Sequence, residues 1–393
     1  MSVLPPEGGA AGPVGLPGWT PAAPPRLAAP VATPAPPTPT GPAAVDPWSA
    51  QRLAPPPAPP TTPGGRRGEP DYDQAQPYHR VLRTRSYRPW RPAVGLLVMI
   101  GTFLVVSTAI TLATLLPTVL TDPDPALSSD ELVGDIVSTP LGLLGVNLSL
   151  AVLIPAAMLG LLAGHQIRAG FLHSVVGRFR WGFLGLCLLV EGVVWLLTLP
   201  LTALLAGDTE AVPTPGEVGG LSFAQWLPFA LVILLTTPLQ AAGEEYGFRG
   251  YGMQALGAWV RSPWFAIAVT SVLFAFAHGT QSLPLFLDRL AFGVVAGLLT
   301  VRTGGLEAAI AFHVVNNMII LLLASAAGQL EPSLTVSEAP WGLVVADVAG
   351  MVLYTVVVLW LARRRGLLTS TAPTPAAWAP PPWTSVVAPA APG

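Results

Sequence analysis

Between residues 93 and 362 the sequence passes through eight apolar stretches, at roughly 93–120, 138–164, 181–206, 222–246, 262–280, 283–302, 304–327 and 341–362. Each is near the ~20 residues that cross a bilayer as a helix, or a little short of it. Only 10% of the chain is charged, against about 25% in soluble domains. This pattern predicts an all-α membrane protein, a bundle of about eight transmembrane helices. Only the short Thr280-Gln281-Ser282 segment divides the fifth stretch from the sixth. No internal repeat of the inverted-transporter kind is visible.

The ends have a different chemistry. Of 45 prolines, 24 lie in residues 1–92 and 7 in residues 371–393. Segments rich in Pro, Ala and Gly without a sustained apolar period bury too little surface to offset their ordering entropy. The expected organisation is a disordered cytoplasmic tail over 1–92, a polytopic domain over 93–365 and a second disordered Pro-rich tail over 366–393. The tails read as solvated spacers; the other reading is a polyproline ligand for a protein partner. No basic region followed by an apolar run marks a signal peptide near Met1.

Net charge is −2, without a basic domain or stripe, which excludes a nucleic-acid partner. All 19 basic residues are arginine, in keeping with a GC-rich bacterial genome. The single Cys187 excludes an internal disulfide framework, a CxxC pair and a thiolate zinc cage. Arginines and acids fall on alternate connections. Arg80 to Arg91, Arg168 to Arg180, Arg249 and Arg261, Arg302, and Arg363 to Arg365 occupy one set. Asp122 to Asp135, Asp208 to Glu217, and Glu331 with Glu338 occupy the other. Arginine-rich connections stay inside, so both termini are expected in the cytoplasm of a multi-pass cell-membrane protein.

Ionisable groups within apolar spans are costly, and each marks a candidate site. In Glu244-Glu245-Tyr246-Gly247-Phe248-Arg249, Glu245 and Arg249 are four apart and share a helix face. Glu244 is turned about 100° away and left free. It suits a general base, with Glu245 and Arg249 as its supports. Phe274-Ala275-Phe276-Ala277-His278 ends the fifth stretch. His313-Val314-Val315-Asn316-Asn317 lies mid-span in the seventh, with His313 and Asn317 on one face. Residues 244 and 278 are equidistant from 261, so a hairpin turning at Arg261-Ser262-Pro263 would bring Glu244 and His278 to one height. Gly247, Gly250 and Gly252 are the points where that helix could break.

Together and in this order, these three motifs resemble those of the CAAX-protease and bacteriocin-processing (CPBP) family of intramembrane proteases, which includes the Ras-converting CAAX endopeptidase. The resemblance covers roughly 222–327. It implies hydrolysis of a peptide bond in a membrane cavity, acting on a peptide or membrane-protein substrate within lipid. It implies Glu244 as the base that activates water, His278 as a residue that holds the water, and His313 with Asn317 as stabilisers of the oxyanion. The family has also been regarded as metalloproteases. That view leaves open a divalent metal such as zinc, with Glu244, His278 and His313 as its ligands. No HExxH or Gly-x-Ser-x-Gly motif points to another hydrolase class.

Two other classes compete: a non-catalytic scaffold or bacteriocin-immunity protein on the same fold, and a transporter with a proton relay. The intact motif trio argues against the first, and the missing repeats against the second. Among the remaining charges, Asp288 and Arg289 read as interfacial, and Glu307 as a helix N-terminal acid placed favourably for the helix dipole. Asp347 lies within the last span. Glu191 reads as a bundle charge that pairs with an arginine, or else lines a cavity.

Overall fold

The computed structural model describes residues 68–121, 138–206 and 221–374. Most of both Pro-rich tails and the acids from Asp122 to Asp135 and from Asp208 to Glu217 lie outside the described residues. Among the described residues the chain is helical and contains no strand longer than an isolated bridge.

The helices are α1 (Arg91–Thr121), α2 (Pro140–Ala151), α3 (Leu153–His165), the single turn α4 (Gly170–His173), α5 (Trp181–Ala206) and α6 (Phe223–Glu245). A π-helical segment, Tyr246–Gly252, leads into α7 (Met253–Trp259). Then come α8 (Pro263–Phe276), α9 (Leu283–Thr303), α10 (Glu307–Ala326), the short α11 (Leu330–Leu334) and α12 (Trp341–Arg364).

Among the described residues seven helical stretches are long and apolar enough to cross a membrane, making this a multi-pass membrane protein. The α2–α3 pair acts as one stretch, kinked at Val152 because Pro155 has no N–H to offer the Ala151 carbonyl. The expected fifth span is the exception. It ends as a helix at Phe276, and 14 residues reach only ~21 Å. The chain then turns through Gly279 at φ +80°, a conformation that favours glycine.

The short helix nevertheless joins opposite ends of the bundle. The segment just before α8 abuts the N-terminal flank, where His79 Nε2 contacts the Arg261 carbonyl. Beyond the other end of α8, the Ser282 N–H donates to the Ser337 carbonyl, beside the start of α12. Because α12 runs back from Ser337 to the flank side, α8 and the turn after it join opposite ends of the bundle.

That flank side is built by residues expected to belong to the tails. Tyr72, Tyr78, Val81 and Leu82 are fully or almost fully buried and belong to the main core. The Tyr78 hydroxyl donates to the Leu172 carbonyl at 2.5 Å. The Thr371 N–H donates to the Gln76 carbonyl, and the Thr374 N–H to the Tyr72 carbonyl. The threonine hydroxyls accept from the Gln76 and Tyr72 N–H groups in return. The two flanks thus clasp each other on one face, and the ordered domain begins before residue 93 and ends after 365. A few large apolar side chains override the Pro-rich composition there.

Two polar ties set the framework around the site. At the start of α10, buried Glu307 takes a forked pair of hydrogen bonds from Arg180, at 2.9 Å from Nε and 2.5 Å from Nη2. Glu307 thus has the expected N-terminal place and a buried partner as well. On α2, the Asn147 amide donates to the hydroxyls of Thr236 and Thr237 on α6. Just below, Gly243 lies so close to the Leu150 carbonyl at the α2–α3 kink that a Cβ there would clash with it. A glycine is required where these backbones touch.

Candidate active site

The glycines at 247, 250 and 252 do not break the helix. They widen it into a π-turn that carries it on to Trp259. Such segments often mark functional sites. Glu244 lies fifteen residues before Trp259 and His278 fifteen after Pro263, so the hairpin sets them at matching heights (259 − 244 = 278 − 263 = 15). Glu244, His278, His313 and Asn317 all line one cavity of about 460 Å³, between α2, α5, α6, α8, α9, α10 and α12.

The two adjacent glutamates have separate surroundings. Glu245 and Arg249 are both fully buried and joined by a 2.9 Å hydrogen bond from Nη1 to Oε1. The guanidinium carbon also sits 4.3 Å from the centroid of the Phe274 ring, in a cation–π contact. Glu244 is 7% exposed and takes no bond from Arg249. Its Oε1 accepts from Gln240 Nε2 at 2.5 Å, one turn earlier on the helix. Its Oε2 lies 3.8 Å from His313 Nε2, too far for a direct hydrogen bond.

Both histidines are oriented through Nδ1. His278 Nδ1 lies 2.8 Å from the Phe274 carbonyl, which can only accept, so Nδ1 carries the proton and Nε2 of the neutral ring is an acceptor. His313 Nδ1 lies 2.8 Å from Glu245 Oε1 in the same way. The Nδ1 side of His313 is therefore committed to Glu245, and its Nε2 faces Glu244. His313 is wedged edge-on between Phe274 and Phe292. The phenylalanine of the second motif thus serves as the shared wall of Arg249, His278 and His313.

Gln240 carried no signal in the sequence beyond its place one turn before Glu244. It receives a 3.1 Å hydrogen bond at Oε1 from Asn317 Nδ2, and Asn317 Oδ1 in turn accepts from Asn316. Three amides therefore donate in series, Asn316 to Asn317 to Gln240, and the series ends on the Glu244 carboxylate. One N–H of Asn317 is used in this relay and the other remains.

Asp288 and Arg289, read as interfacial, line the same cavity, as does Asp347. Glu191 lines it too and has no arginine partner. Among the described residues, no group of three or more His, Cys, Asp or Glu side chains is gathered as a metal ion requires. Glu244, His278 and His313 do not form such a group, so this donor set does not fit a zinc centre and no chemical step below is routed through one.

Residues 225–319 match the sequence model of the Rce1-like family, described as type II CAAX prenyl endopeptidase Rce1-like. Residues 225–319 are therefore an Rce1-like domain. The matched region holds Gln240, Glu244, His278, His313 and Asn317. The uncharacterized protein YyaK of Bacillus subtilis (strain 168) is 31% identical over 103 residues, which cover 25% of this chain and 34% of that relative. The match thus spans about a third of the relative's length. No solved structure matches the chain.

Proposed function

We propose that the chain is an intramembrane endopeptidase that hydrolyses a peptide bond of a peptide or membrane-protein substrate with water activated by Glu244. The observation that carries this reading is the division of the glutamate pair. Arg249 is spent on Glu245, while Glu244 is buried, held by a neutral amide and open to the cavity. A base so placed acts from a fixed position.

In this mechanism the water lies between Glu244 and the acceptor Nε2 of His278. Glu244 takes a proton as the water oxygen adds to the scissile carbonyl carbon. The oxyanion is met by the free N–H of Asn317. Glu244 then passes its proton to the departing amine as the C–N bond breaks. Gln240 holds the carboxylate throughout, and His313, fixed by Glu245, walls the site. The test is a quenched fluorogenic peptide offered to purified protein, with and without a chelator. Turnover that survives chelation supports the glutamate route, and turnover restored only by added metal overturns it.

Asn317→Ala separates chemistry from packing. It removes the oxyanion donor and the group that steadies Gln240. The expected result is a ~10²–10³-fold fall in kcat with little change in KM. Melting temperature and turnover are read on one preparation. A destabilised but fully active protein would rule out the catalytic role.

The clasped flanks lie on the arginine-rich face, and we place that face in the cytoplasm by the positive-inside rule. Reporter fusions at the two ends are expected to report cytoplasm, and a fusion after residue 212 the opposite compartment. A non-cytoplasmic signal from either end would break this orientation. The Pro-rich tails would then be available to a cytoplasmic protein partner.

A further inference from the structure

Beyond Glu244, the cavity has a polar wall that the hydrolytic mechanism leaves unused. It is lined by the carboxylates of Glu191, Asp288, Glu338 and Asp347, with Arg289 as the single guanidinium among the described lining residues. Glu191 is the most telling of them. It is 3% exposed, sits in the middle of α5, and its Oε2 is buried without a hydrogen-bond partner. No ion pair reaches it among the described residues. A buried carboxylate with an open oxygen at a cavity wall is costly unless something enters to satisfy it.

The acids are also ordered in depth. α5 and α12 pack together, with Gly350 against Val194 and Thr198, which also line the cavity. Gly342 also packs against Leu205, so this antiparallel pair sets Glu191 near the level of Tyr354 on α12. Tyr354 lies seven residues, or about 10 Å, further along α12 than Asp347. Glu338 is at the mouth, on the connection before α12, Asp347 one level in, and Glu191 deepest. The mouth is on the face opposite the clasp. The connection between α10 and α12 on that face carries Glu331 and Glu338 and no arginine. Acidic side chains at the lip of a low-dielectric cleft favour entry of positive charge.

We infer that the cavity selects peptides carrying a lysine or arginine side chain, which passes the Glu338 and Asp347 level and ends on Glu191 as a specificity subsite. This inference rests on the endopeptidase reading for the direction of the peptide, but its test does not depend on turnover. Full-length protein carrying Glu244→Gln is titrated in detergent with three fluorescent peptide pools. The pools share a degenerate apolar background and differ at one fixed position, which is lysine, norleucine or glutamate. The lysine pool is expected to bind about tenfold more tightly than the norleucine pool. Adding Glu191→Gln, an isosteric change, is expected to bring the two within about twofold. Adding Asp347→Asn serves as a second variant with a smaller loss of preference. Equal binding of lysine and norleucine pools, a preference for glutamate, no binding of the lysine pool, or a lysine preference unchanged by Glu191→Gln would each overturn the subsite. Wild-type protein is run in parallel for cleavage. Lysine-selective binding without cleavage would leave the subsite standing and defeat the protease reading; cleavage without lysine preference would do the reverse.

Discussion

Glu244→Gln is expected to remove nearly all peptide hydrolysis while leaving the protein folded. The substitution keeps the shape of the side chain and its contact with Gln240, because the new amide oxygen can still accept from Gln240 Nε2. It also leaves the Glu245–Arg249 pair and the Glu245–His313 bond as they are. What it removes is the capacity to take a proton from water. General-base catalysis contributes about 10²–10⁴ in rate, so turnover should fall at least that far. The melting temperature in detergent should shift little, because the buried carboxylate makes only one hydrogen bond. Turnover near that of the wild type from a folded Glu244→Gln protein would sink the assignment.

Arg249→Met is expected to act in the opposite way, on the fold before the chemistry. Arg249 is wholly buried, and its bonded partner Glu245 is wholly buried too. Removing one member of a buried pair leaves the other charge uncompensated, at a cost of about 3–5 kcal/mol. The cation–π contact with Phe274 is lost as well. Glu245 then keeps only His313, so disorder should spread to the histidine that walls the site. The double variant Glu245→Gln with Arg249→Met should be more stable than Arg249→Met alone, since no stranded carboxylate remains and the glutamine oxygen still accepts from His313. The check is a thermal melt of both variants in the same detergent. An unchanged melting temperature for Arg249→Met, or a double variant that is the less stable of the two, would contradict this account.

The parts of the site that rest on helical geometry were legible in the sequence. The four-residue spacing of Glu245 and Arg249 implies their pairing on any helix. The midpoint at residue 261 sets the heights of Glu244 and His278 as soon as both flanking segments are helical. Other parts depend on which way a side chain turns, and spacing carries no such information. His313 Nδ1 lies against Glu245, because a neighbouring helix places a carboxylate there. Gln240 bears no charge, so it does not stand out in an apolar span, yet it holds Glu244. Asp288 and Arg289 sit near a helix start, the usual signature of an interface. Only the packing of α8, α9 and α12 shows that their level faces inward. Composition also hid the flanks. Among many prolines, Tyr72, Tyr78, Val81 and Leu82 have no periodicity to announce them, and their burial depends on partners about 90 to 300 positions away.

The hydrogen bonds between Tyr72 and Thr374 join positions 302 residues apart. A ribosome adding about 5–20 residues per second takes roughly 15–60 seconds to make that much chain. Throughout that interval the N-terminal flank has no C-terminal segment to pair with, while the helices between them are still being made. The backbone carbonyls of Gln76 and Tyr72 therefore wait for residues 371–374 to be synthesised. Closure is a terminal event in the birth of this protein, and a chain released early by truncation within α12 would be inserted but unlatched.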